Sequence, residues 1–178
     1  MPLKENFKLM ASYNEWMNQN IYSAAASLSE KELHQNRGAF FGSIIGTLNH
    51  IMIGDIIWLK RFSDHPDNFK SLESIRKMEK PTNLNGILHE SFNDLNIKRN
   101  ELDNAITSFV EELTDDVISS PLSYQNTKGV TFSKKLGFLL QHFFNHQSHH
   151  RGQISTLCYQ AGIDIGVTDL LACIPEEK

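Results

Sequence analysis

The chain has 178 residues, with 40% hydrophobic and 21% charged side chains, a length that fits one domain able to bury its own core. Its formal net charge is −4, and its Lys and Arg residues are scattered, which argues against a nucleic-acid partner. The two cysteines, Cys158 and Cys173, form no CxxC pair and read as reduced thiols rather than a disulfide framework. No apolar run is long enough to span a bilayer, and none follows Lys4 as a signal peptide requires. The expectation is one domain over residues 1–178, cytoplasmic and away from membranes.

In chain order, the spacing of Phe7, Met10, Tyr13, Met17, Ile21 and Ala24 predicts a first helix from about residue 6 to 29. Residues 33–42 read as a connection. A second helix is expected from Ser43, its N-cap, to about Phe62, and it is apolar nearly all round. Such a helix belongs deep in a core, and His50 lies in its middle. Residues 63–85, with Pro66 and Pro81, read as a long, partly ordered connection. A third helix is expected over about 86–113, with Ile87, Phe92, Leu95, Leu102 and Ile106 on its apolar side. Residues 121–132 suggest a loop or small hairpin turning at Lys128-Gly129. The fourth helix runs from about Ser133 to Ala161 and stops at Gly162. The fold class expected is all-α, a four-helix bundle with a long connection between helices two and three.

Of eight histidines, His142, His146, His149 and His150 fall within nine residues of the fourth helix. Spacing of i, i+4 stacks two imidazoles on one helix face. On the wheel set by Leu136, Leu139, Leu140, Phe143, Ile154 and Leu157, His150 lies about 30° and His146 about 70° from the apolar centre. His142 and His149 fall beyond about 100°, near the solvent boundary. The wheel therefore selects His146 and His150 as metal ligands. His50 is the candidate third ligand, although its wheel position, shared with Ile53, Ile57, Gly46 and Gly54, does not aim it at the fourth helix. His34, His65 and His89 sit among polar residues and read as solvated. Asn145, Arg151 and Gln153 flank the pair and are placed to hold outer imidazole nitrogens or a substrate. Arg151 follows a ligand, which puts it within reach of an anionic substrate group. Asp55 lies about 140° from His50 and reads as a structural partner for a helix terminus or a Tyr.

The segment Phe41-Gly-Ser-Ile-Ile-Gly-Thr-Leu-Asn-His50-Ile-Met-Ile-Gly-Asp55-Ile-Ile-Trp58-Leu resembles a hallmark of the DinB family, the DinB/YfiT-like damage-inducible metalloproteins. The run His146-Gln-Ser-His149-His150-Arg151-Gly152-Gln153 is similar to its other hallmark, and Tyr13-Asn14-Glu-Trp16-Met17-Asn18 is also typical. The resemblance implies a four-helix bundle with a three-histidine metal site. It maps the ligands onto His50, His146 and His150, and so supplies the orientation of His50. It also implies a homodimer.

Three neutral imidazoles leave an open position on one divalent ion, zinc or nickel first, with iron or manganese as alternatives. Two reaction classes follow: hydrolysis, or transfer involving a low-molecular-weight thiol that the ion acidifies. Relatives in the wider superfamily resemble thiol-dependent S-transferases, and no carboxylate base is evident near the histidines. Thiol transfer on a small-molecule substrate therefore ranks first. Hydrolysis and metal binding without turnover are the alternatives.

Overall fold

The computed structural model describes residues 2–177. Four long helices carry it: α1 (Leu3–Ala25), α3 (Ile44–Ser63), α5 (Phe92–Glu112) and α7 (Leu136–Gln160). Between them lie the short helices α2 (Glu30–His34), α4 (Glu73–Lys77) and α6 (Asp115–Ser119). Helix α1 packs on α5 and α7, and α3 packs on α7 and α5, so the long helices close into a ring. The expected helical architecture is found, with one addition. Strands β1 (Pro121–Gln125) and β2 (Thr131–Lys135) pair antiparallel, Tyr124 opposite Phe132. They form the hairpin that residues 121–132 suggested.

The boundaries differ from the sequence expectation for local reasons. The first helix stops at Ala25 rather than near 29, because Ser29 opens α2 with a reciprocal cap to Glu32. Helix α3 begins as expected, the Ser43 hydroxyl accepting from the Gly46 N–H. Helix α5 starts six residues later than expected, at Phe92. Upstream of it the N–H groups of Leu88 and His89 donate to Asn49 Oδ1, which takes that backbone out of a helix and ties it to α3. The Ser91 hydroxyl then caps Asp94. Ile87, assigned to the apolar side, is consequently 47% exposed. Helix α7 starts at Leu136 rather than Ser133, because residues 131–135 are spent on β2. It ends at Gln160, and the φ of 81° at Gly162 just beyond lets the Ile163 N–H reach back to the Cys158 carbonyl.

The connection after α3 is also more ordered than expected. It carries a 3-10 turn at Lys70–Leu72 and then α4. Phe69, Leu72 and Ile75 bury against the bundle. His65, expected to be solvated, is buried there: it stacks near Phe69, and its Nε2 meets Ser120 Oγ at 2.8 Å.

The core contains one extended polar system. On α5, Arg99 reaches Asp55 of α3 through Nη1 and Asp103 through Nη2, at 3.0 Å for the latter. Asn14 and Asn18 of α1 donate to Asp103 at 3.1 and 2.9 Å. Arg151 of α7 donates to Asn14 Oδ1. All six side chains are buried. Burial pushes the Asp55 carboxyl up to about 6 and raises Asp103, with Arg99 pulling both the other way. Burial opposes the Arg99 charge too, but Asp103 and Asp55 outweigh it and hold the guanidinium protonated. Asp55 thus points away from His50, as expected, and its partner is an arginine rather than a helix end or a Tyr.

Removing one member of a buried pair strands the other. Asp55→Ala should lower the unfolding free energy by about 3–5 kcal/mol in denaturant titration. Asp55→Leu combined with Arg99→Leu should recover part of that loss. A single-variant cost under about 1 kcal/mol would show that Arg99 does not depend on Asp55.

Candidate metal centre

His50 occupies the middle of α3, and His146 and His150 lie one turn apart on α7. Because α3 and α7 pack directly, the three imidazoles converge. One ring nitrogen from each lies within 4.8 Å of the other two. Among the described residues no other group of three His, Cys, Asp or Glu side chains converges in this way. The Nε2 atoms of His50 and His150 are 3.2 Å apart. Two imidazole nitrogens bound tetrahedrally to one zinc-sized ion would stand roughly 3.3 Å apart.

The outer nitrogens fix the tautomers. The Leu84 carbonyl can only accept, so His50 Nδ1 carries the proton and donates to it at 2.8 Å. His150 Nδ1 donates to Gln153 Oε1 at 2.8 Å. Both Nε2 atoms therefore turn a lone pair toward the same point, an arrangement that suits a cation. Burial lowers the pKa of His50 and of His150. Burial, reinforced by the neighbouring imidazoles, holds His146 down to about 3. All three are neutral at neutral pH, which is the ligating form. The donor set thus fits a divalent transition metal.

Two packing features shape the group. The Phe41 ring stacks on His50 at 3.8 Å between centroids and 18° between planes. Gly54, one turn after His50, faces His146: a Cβ there would stand 2.8 Å from His146 Cε1. The α3 surface is bare one turn from His50, and the His146 ring fills the space. His50 and His150 are buried, and His146 is half-buried.

The remaining histidines and flanking residues sort by position. His142 is exposed and sets its ring against Trp58, with centroids 5.0 Å apart. His149 is exposed and lies beside Gln153. His34 is exposed and near Glu30 and Glu90, whereas His89 is half-buried. Gln153 alone of the three flanking residues holds an outer imidazole nitrogen; Asn145 is exposed. Arg151 does not reach toward the three histidines. It is buried between α7 and α1, over the Tyr13 ring and bonded to Asn14, because the polar core offers it acceptors that solvent-facing geometry would not. Sequence reasoning missed Leu84, whose backbone carbonyl carries no residue signature, and the close approach at Gly54, where a glycine one turn from a candidate ligand was the available sign.

A Gly54→Ala variant tests this packing. Its methyl group must displace His146, so the imidazole NMR resonances of His146 and His150 should shift while those of His34 stay in place. An unmoved His146 resonance would contradict the close approach.

Comparison with known proteins places the chain as a whole. The DinB family model matches residues 1–177. Protein DinB of Bacillus subtilis (strain 168) is 29% identical over 163 residues, spanning 92% of this chain and 90% of that protein. The fold is similar to the crystal structure of a DinB-like protein from Bacillus cereus ATCC 10987, with a TM-score of 0.61 and 21% identity over 92% of this chain and 95% of that one. The chain belongs to the DinB family.

Proposed function

We propose that the protein holds one divalent transition ion, zinc or nickel first, on His50, His146 and His150, and uses it in transfer reactions of a low-molecular-weight thiol. The observation that carries this reading is the neutral three-imidazole donor set, with two Nε2 lone pairs aimed at one point and their tautomers set by Leu84 and Gln153. Three protein ligands leave a coordination position for a reactant, whereas structural zinc sites usually close with four. When bound, such an ion lowers the pKa of a coordinating thiol to near neutrality. The chain's own residues then have two tasks. His50 and His150 present unprotonated nitrogens. Phe41 covers one face of His50 and keeps water from it. Asp55, the nearest carboxylate along α3, is engaged by Arg99 and does not serve as a base for hydrolysis. Thiol transfer, which needs no separate base, is favoured over hydrolysis on that ground.

The test is a cobalt-substituted sample titrated with small thiols. A thiolate-to-cobalt charge-transfer band should appear and saturate, and an electrophile should be conjugated in its presence. A cobalt spectrum indifferent to every thiol, together with turnover of activated esters, would replace this reading with a hydrolase. An indifferent spectrum with no turnover would leave a metal-binding protein without catalysis.

A further inference from the structure

The C-terminal ends of α3 and α4 meet at a small hollow of about 90 Å³, and none of His50, His146 and His150 lines it. Lys60, Arg61, Arg76 and Lys80 line it, together with Ser63 and one carboxylate, Asp64. Four cations against one anion is a local excess of positive charge in a chain whose net charge is −4. None of the four is within 4.0 Å of a carboxylate: the ion pairs of the described residues involve Lys8, His34, His65, Lys77, Lys98 and Arg99 instead. Asp64 lines the hollow and still pairs with none of them.

Helix ends explain part of this clustering, because carbonyl termini attract cations. Lys60 Nζ donates to the carbonyls of Ile75, Arg76 and Met78, which uses all three of its protons. Arg76 Nε and Nη2 both donate to the Ser63 carbonyl. These bonds hold the two side chains in place, but they are made to neutral carbonyls and leave both charges unpaired. Arg76 keeps Nη1. Arg61, only 9% exposed, donates through Nη2 to the Gln125 carbonyl while its Nε is buried without a hydrogen-bond partner. The Arg61 guanidinium is itself fixed over the Trp58 and Tyr124 rings, at 4.4 and 5.0 Å. Lys80 is exposed at the rim.

Preorganised cations that outnumber the nearby carboxylate, some with donors to spare, recognise a small oxyanion. The hollow is well below the roughly 300–1,000 Å³ of pockets that enclose drug-sized ligands, so it takes a single small group. We propose that it is a binding site for a phosphate-like tetrahedral oxyanion, either free or as the end of a phosphomonoester. The site is separate from the histidine group and independent of its chemistry.

The test is binding of inorganic phosphate and of phenyl phosphate to the full chain, followed by ³¹P NMR and thermal shift, against chloride at matched ionic strength. Phosphate should bind and raise the melting temperature where chloride does not, and His146→Ala should leave that binding unchanged. Arg76→Gln should weaken binding at least tenfold. Because Arg76 also ties down Ser63, the exposed Lys80→Gln serves as the second variant and should weaken binding at least threefold without loss of fold. Equal affinity for the two ligands identifies free phosphate as sufficient, and tighter binding of phenyl phosphate identifies a phosphomonoester. A phosphate effect no larger than that of chloride, or unchanged binding in both variants, would overturn the proposal.

Discussion

The rest of the molecule depends on a charge buried among four helices. Arg99 on α5 has almost no access to water, and an unpaired guanidinium there would cost several kcal/mol. Its partners therefore have fixed places: Asp55 on α3, Asp103 on α5 and, through Asp103, Asn14 and Asn18 on α1. Arg151 joins α7 to the same system through Asn14. A helix rotates about 100° per residue, so pinning one side chain fixes which residues face each neighbour. Asp55 follows Gly54, and Arg151 follows His150. The polar core thus sets the rotation of α3 and α7, and with it the meeting of His50, Gly54, His146 and His150.

What meets there is electrically unlike the core that positions it. The inner network balances full charges, whereas the histidine group is neutral and rich in lone pairs. Burial and mutual proximity keep the imidazoles unprotonated, and the Leu84 carbonyl and Gln153 turn the bare nitrogens inward. A bundle of this size has ample apolar burial without such a group, since its core draws on all four long helices and on the segment holding Phe69, Leu72 and Ile75. Neutral nitrogens gathered where packing does not need them are what the proposed metal site requires.

Much of this was legible in the sequence, for identifiable reasons. Helical periodicity located the four long helices, and the wheel picked His146 and His150 over His142 and His149, because α7 has one clear apolar stripe. The wheel failed for His50 because α3 is buried on every side, so no stripe distinguishes one direction. Its orientation came from the resemblance to the DinB family. Arg151 was misread because an arginine reads as a surface residue until Asn14 and Asp103, which lie far away in sequence, are placed beside it. Residues 86–91 read as helix because their apolar spacing is helical, and only the Asn49 side chain, drawing on the N–H groups of Leu88 and His89, takes them out of one. His65 was misplaced for a similar reason: its partner, Ser120, is 55 residues away.

In the proposed site three imidazoles, one from α3 and two from α7, share one metal ion. Elemental analysis combined with X-ray absorption on the purified protein tests it most directly. About one divalent ion per chain is expected, with scattering from three imidazole nitrogens, and most of that ion should be lost in His146→Ala and in His150→Ala. Full metal content in both variants, or a coordination sphere without imidazole, would contradict it.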